Sequence, residues 1–175
     1  MTCQIIDNLL PDKNLKALQS EFVWNPWIPW SVMRSIANGA DTGLDTEPNE
    51  PWDWYANNCV YKAGQALTPS WDVIEENLVQ PLMEKGVITK LERAKANFYP
   101  SWHELKEHDQ HIDYGEPHGA CVFSLNTCDG FTRIGKDITV NSVANRAVLF
   151  DGSRLHNSSN CTTPSGRFNI NLNFI

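Results

Sequence analysis

Phe168, Ile170, Leu172 and Phe174 alternate without a break with Asn169, Asn171 and Asn173. Successive side chains of a β-strand leave opposite faces, so this segment predicts a strand with one buried face. Shorter apolar runs precede it at 120–125, 131–134, 138–140 and 147–150, divided by turn-forming residues at 126–130 and at Asp151-Gly152. The first ninety residues read differently. Leu15, Leu18 and Phe22 recur at helical spacing behind Pro11, whose missing N–H costs nothing at a helix start; a helix is expected over 11–24. A second is expected from Thr68-Pro69, with Trp71, Ile74, Leu78 and Leu82 on its apolar face and Pro81 kinking or ending it.

Between these helices, residues 25–55 carry no periodicity, many Pro and Gly breakers, and Trp27, Trp30, Trp52 and Trp54. Loops of that length in compact domains are usually functional or disordered, and four tryptophans argue against disorder. The segment is therefore expected to close as a substrate lid, the alternative being that its tryptophans simply fill the core. Helices followed by many short strands imply a mainly β fold with flanking helices in a single domain. Within it, 1–90 would be helical and loop support and 91–175 the β core.

Composition narrows the class. With 175 residues, 41% hydrophobic and 20% charged, the chain is long enough for a packed core. Its 14 basic and 21 acidic residues give a net charge of −7, which disfavours a broad nucleic-acid footprint. No apolar run reaches membrane-spanning length, and the N-terminal residues lack the basic and apolar regions of a signal peptide. A cytoplasmic protein is expected, in the host cytoplasm if virus-encoded. The five cysteines, at 3, 59, 121, 128 and 161, show no CxxC spacing and are expected to be reduced thiols. Oligomeric state is not written in the residues.

The candidate chemistry sits at His111-Ile112-Asp113. On a strand, residues i and i+2 share a face roughly 6.6 Å apart, so an imidazole and a carboxylate can converge on one metal ion. His156, on a later turn, supplies a third ligand, and two histidines with one carboxylate are the set used by non-heme Fe(II) oxygenases. Three protein ligands leave room for a bidentate 2-oxo acid and O2. Fe(II), one aspartate and dianionic 2-oxoglutarate leave one negative charge unmatched, and Arg167, just past the turn at 163–166, is the natural fork for the distal carboxylate. HxD alone is a weak pattern; the ordered set of HxD, histidine and arginine is more specific. From the residues alone, two other classes stay open: a catalytically silent jelly-roll binding module, and a zinc or manganese enzyme on the same barrel.

Residues 92–175 resemble the catalytic core of the 2-oxoglutarate/Fe(II)-dependent dioxygenases, in their prolyl-hydroxylase-like branch, and most of all its small phage and marine bacterial members. The resemblance lies in Lys95-Ala96-Asn97-Phe98-Tyr99-Pro100, His111-Ile112-Asp113, Ser124-Leu125-Asn126, Gly130-Phe131-Thr132, the run from Asn145 to Asp151 with Leu155-His156, and Arg167. It implies a double-stranded β-helix (jelly-roll, cupin-like), Fe(II) on His111, Asp113 and His156, 2-oxoglutarate on Arg167, and O2 as oxidant. It also implies Tyr99 as a 2-oxoglutarate contact. Asn97 and Asn126 are candidates for substrate or supporting hydrogen bonds, or for bonds to backbone. The implied reaction is hydroxylation of a C–H bond with release of succinate and CO2; an aspartate at 113 favours hydroxylation over the related halogenation. The substrate stays open among prolyl peptide, free amino acid, nucleobase and small metabolite.

Overall fold

The computed structural model describes residues 2–34 and 50–175. Among them are eleven strands and two helical regions. Strands β1 (Gln4–Ile6), β2 (Ser31–Met33), β3 (Tyr55–Lys62), β4 (Gln65–Ala66), β5 (Leu91–Tyr99), β6 (Gly119–Ser124), β9 (Arg146–Asp151) and β11 (Arg167–Phe174) form one large sheet. Its order is β1-β9-β6-β11-β5-β3-β2, with β4 paired to β3. Strands β7 (Phe131–Ile134), β8 (Ile138–Asn141) and β10 (His156–Ser158) form a small sheet in the order β10-β7-β8. Every pairing between these strands is antiparallel. This is the mainly β double-stranded helix with flanking helices.

The first half departs from its reading as helix and loop, because it contributes four strands to the large sheet. β3 is the main omission. Its inward and outward positions hold Tyr, Asn, Cys, Ala and Val on faces that are both largely covered, so no hydrophobic alternation marks it. Of the expected lid, residues 35–49 lie outside the described residues. In the rest, Trp27 is 88% exposed, Trp30 packs on Phe98 and Phe168, and Trp52 stacks on His108.

Helix α1 (Asp12–Phe22) buries Leu18 and Phe22 against the large sheet. The second helical region runs from α2 (Trp71–Ile74) through a π turn at Glu75–Val79 into α3 (Gln80–Glu84). Pro81 neither ends nor breaks this region. Lacking an N–H, it leaves the Asn77 carbonyl without its usual helical donor, and the Asn14 amide reaches that oxygen at 3.4 Å.

β11 is the key to the layering. Phe168, Ile170, Leu172 and Phe174 pack toward the helices with Leu18, Ile74, Leu78 and Leu82. The asparagine face is not a solvent face: Asn169 and Asn173 are 2% and 1% exposed. It turns into the space between the sheets, in register with the alternate residues of β5: Arg167 opposite Tyr99, Asn169 opposite Asn97, Asn171 opposite Lys95, Asn173 opposite Arg93. One face of the sheet is thus apolar core and the other a polar wall.

Candidate metal centre and anion pocket

His111-Ile112-Asp113 does not lie on a regular strand. Residues 100–118 run irregularly along the barrel, stitched to the last third of the chain by bridges at Ser101–Cys161, Glu107–Ser159 and His111–His156. The backbones of His111 and His156 exchange both hydrogen bonds at 2.9 Å. That exchange, rather than strand pleat, brings the rings to 4.5 Å between centroids, while Ile112 faces away at 45% exposed. The ligand atoms of His111, Asp113 and His156 all lie within 4.8 Å of one another.

Two of the three side chains are held in the protonation state a cation needs, His111 neutral and Asp113 ionised. His156 donates from Nδ1 to the Arg154 carbonyl at 2.9 Å, which turns Nε2 toward Asp113 Oδ2 at 3.7 Å. Burial, reinforced by His156, pulls the His111 imidazole down to about 4, so it is neutral at neutral pH; its buried Nδ1 has no hydrogen-bond partner. Burial works to raise the Asp113 carboxyl, but Arg93, His156, Lys95 and the Asn173 amide outweigh it and hold it at about 2. Arg93 Nη2 and Asn173 Nδ2 each donate to Asp113 at 2.8 Å. Arg93 Nε also reaches Asn173 Oδ1 at 2.9 Å, tying the two carboxylate holders together.

Arg167 opens β11 and is 1% exposed. Its donors go to Ser142 Oγ (2.7 Å), the Ser159 carbonyl (3.0 Å) and Thr132 Oγ1 (2.7 Å), all neutral acceptors. Among the described residues no carboxylate pairs with it. A buried guanidinium without a counter-charge is costly, and burial lowers its proton affinity. The Tyr99 ring lies 5.3 Å from it and stacks on Tyr55 and His108. His108 binds Ser158 Oγ through Nδ1, while its buried Nε2 has no partner. The backbone around Arg167 is set by two glycines and an asparagine. A side chain on Gly130 would meet Asn160 O at 2.6 Å and Arg167 Cδ at 2.8 Å, and Gly166 turns at φ +77°. Asn126 then clamps both neighbours of Arg167, donating to Gly166 O and accepting from Phe168 N, each at 2.8 Å.

The structure therefore brings His111, Asp113 and His156 together and sets Arg167 beside Tyr99. Asn97 is in the polar wall, with Nδ2 on Asn169 Oδ1 at 2.9 Å and Oδ1 unpartnered. Asn126 spends both polar ends on backbone. Four residues of the site escaped the sequence reading: Arg93, Lys95, His108 and Asn173. For Arg93 and Lys95 a signal was present, since they share a period-two face with Asn97 and Tyr99.

No family model matches the sequence, and no curated protein matches it. Solved structures do. A prolyl hydroxylase from Trichoplax adhaerens, in complex with a hypoxia-inducible-factor oxygen degradation domain peptide, matches with TM-score 0.64 at 12% identity, over 99% of this chain and 83% of that one. A Pseudomonas putida prolyl-4-hydroxylase matches with TM-score 0.61 at 18% identity, over 98% and 91%. The viral collagen prolyl hydroxylase of Paramecium Bursaria Chlorella virus-1, in its 2-oxoglutarate complex, matches with TM-score 0.56 at 12% identity, over 100% and 97%. With a His2Asp cluster inside a barrel that these structures match almost end to end, the chain has the fold of the 2-oxoglutarate/Fe(II) oxygenases in its prolyl-hydroxylase-like form.

Proposed function

We propose that the protein is an Fe(II)- and 2-oxoglutarate-dependent dioxygenase that hydroxylates a C–H bond. The observation that carries this reading is the pairing of a His2Asp cluster with Arg167, a buried guanidinium with which no carboxylate pairs among the described residues. A binding module needs neither, and a zinc enzyme leaves Arg167 without purpose. His111 Nδ1 and His108 Nε2, both buried and unpartnered, fit a site built to be completed by ligands.

His111, Asp113 and His156 would hold the iron, and Arg167 the distal carboxylate of 2-oxoglutarate, with Tyr99 as the wall beside it. Bound there, iron and co-substrate would supply oxidative decarboxylation to succinate and CO2 coupled to oxygen insertion into the substrate. The chain's own contribution is placement. Arg93 and Asn173 fix the carboxylate, the Arg154 carbonyl fixes the His156 tautomer, and Asn126 with Gly166 aims Arg167. A prolyl peptide is the first substrate to offer, since the three matching structures described above are prolyl hydroxylases by name.

The test is anaerobic titration calorimetry with Mn(II), then 2-oxoglutarate, followed by succinate assay with Fe(II) in air. Asp113→Ala should abolish metal binding and succinate release. Arg167→Ala should keep the metal and lose at least roughly tenfold in 2-oxoglutarate affinity, the worth of a charge-assisted bidentate pair of about 1.5–3 kcal/mol. Unchanged 2-oxoglutarate affinity in Arg167→Ala would remove the co-substrate role from that residue. Mn(II) bound with no 2-oxoglutarate binding would favour the zinc or manganese enzyme instead.

A further inference from the structure

The polar wall of β5 and β11 carries three cations: Arg93 and Lys95 on β5, and Arg167 on β11 across from Tyr99 at the far end. Two of the three have an assignment. Arg93 is bonded to Asp113, and Arg167 faces the co-substrate end. Lys95 has neither. Its half-buried side chain lies with Nζ 5.6 Å from the centroid of the Tyr55 ring. Among the described residues its ammonium has no hydrogen bond and no ion pair. The groups facing it are Arg93 on its own strand, Asp113 on the connector, Tyr99, and Cys59 of β3.

Charge decides what belongs there. In the loaded site of the reading above, on which this inference rests, Fe(II) and Arg167 together match Asp113 and dianionic 2-oxoglutarate. Arg93 and Lys95, both partly buried, are then surplus positive charge. Position decides which ligand it is. The Lys95 backbone stands four residues from Tyr99, a rise of roughly 13 Å, and its ammonium, over the Tyr55 ring that stacks on Tyr99, is separated from Arg167 by those two rings. It stands two residues from Arg93 and therefore beside the metal end, on the side of the wall where β3 carries Tyr55 and Cys59.

We propose that Lys95 is the anion-binding residue of the substrate pocket, and that the substrate presents a carboxylate to it. The substrate class is then an organic acid, free or as the acidic part of a peptide, anchored close to the carbon that is oxidised. Lys95 orients the substrate and takes no part in bond making. The Tyr55 ring below the ammonium holds it in place by its negative face, without supplying a counter-charge.

The test uses protein labelled with 13C and 15N in lysine, loaded with Zn(II) and 2-oxoglutarate, with the Lys95 side-chain signal identified by its loss in Lys95→Met. Acetate and its neutral isostere acetamide are the probes. Acetate should shift the Lys95 signal saturably while acetamide leaves it in place, and Lys95→Arg, labelled in arginine instead, should show one added guanidinium signal with a saturable acetate response. Circular dichroism of both variants checks that they are folded. A Lys95 signal that follows acetate only linearly, as solvent-facing lysines do, overturns the proposal. So does one that moves on adding 2-oxoglutarate and is afterwards inert to acetate, since the lysine would then belong to the co-substrate. Failure of the dioxygenase reading has a different mark: 2-oxoglutarate leaves the spectrum unchanged while the acetate response survives.

Discussion

Burial keeps His108 and His111 neutral far below the pH at which a free imidazole takes up its proton. His108 is pulled from 6.5 to about 3 and His111 from 6.5 to about 4, desolvation being the main cause for both. In the unfolded chain each binds a proton below pH 6.5; in the folded protein neither does until near its lowered value. Stability of the metal-free protein should therefore fall as pH drops below 6.5, each group adding a slope of about 1.4 kcal/mol per pH unit. Asp113 acts in a lower window, its contribution present above 3.8 and lost as pH falls toward 2. Denaturant titrations at pH 7, 6, 5 and 4.5 should show a flatter decline in His108→Phe than in the wild type. Equal slopes would mean that water reaches His108. At this scale, what the sequence carried was residue type and order: HxD, a later histidine, an arginine opening a strand. Arg93 and Asn173 could not be read, because their joint hold on Asp113 depends on a β5–β11 register between residues 80 apart.

Elements here are fastened by asparagines that imitate backbone. Asn145 sits at φ +66° in the turn before β9, and its amide both accepts from Leu10 N at 2.9 Å and donates to Leu10 O at 2.8 Å. It thereby fixes the start of α1 to the large sheet. Asn145→Ala loses two buried hydrogen bonds and replaces a residue that tolerates the left-handed region with one that tolerates it less well, a cost of about 2–4 kcal/mol. Asn145→Gly should be milder, since glycine takes that φ freely. Thermal melts check the ranking, and an alanine variant as stable as the glycine one would contradict it. Asn126 does the same for the turn that aims Arg167. Asn126→Ala should lower 2-oxoglutarate affinity several-fold with Mn(II) affinity unchanged; equal loss of both in calorimetry would mean a general loosening of the barrel. Element prediction from sequence succeeded where one face was apolar, as in α1, and in β11, where the alternation is strict. It missed β3, whose faces are both covered and whose inner face is polar because it lines a site. It also gave β11 a single buried face where both are covered, since polarity alone does not distinguish water from a pocket.

At the scale of the whole molecule, the long-range pairing of β11 with β5 and of β1 with β9 makes folding a matter of closing large loops before any sheet is gained. Stopped-flow refolding should be slow for a chain of this size, in milliseconds to seconds, and a microsecond phase carrying the full signal would refute that. The centre of the large sheet is β11, the strand made last, lying between β5 and β6. A chain still on the ribosome has already exposed His111, Asp113 and His156 by the time residue 160 emerges. Yet Asp113 receives its Asn173 bond only after 173 has followed, and until then β5, which bears Arg93, has no β11 to lie against. Until β11 is in place the nascent polypeptide would thus be a poor trap for stray cations, and under the proposed function metal loading would wait for that strand.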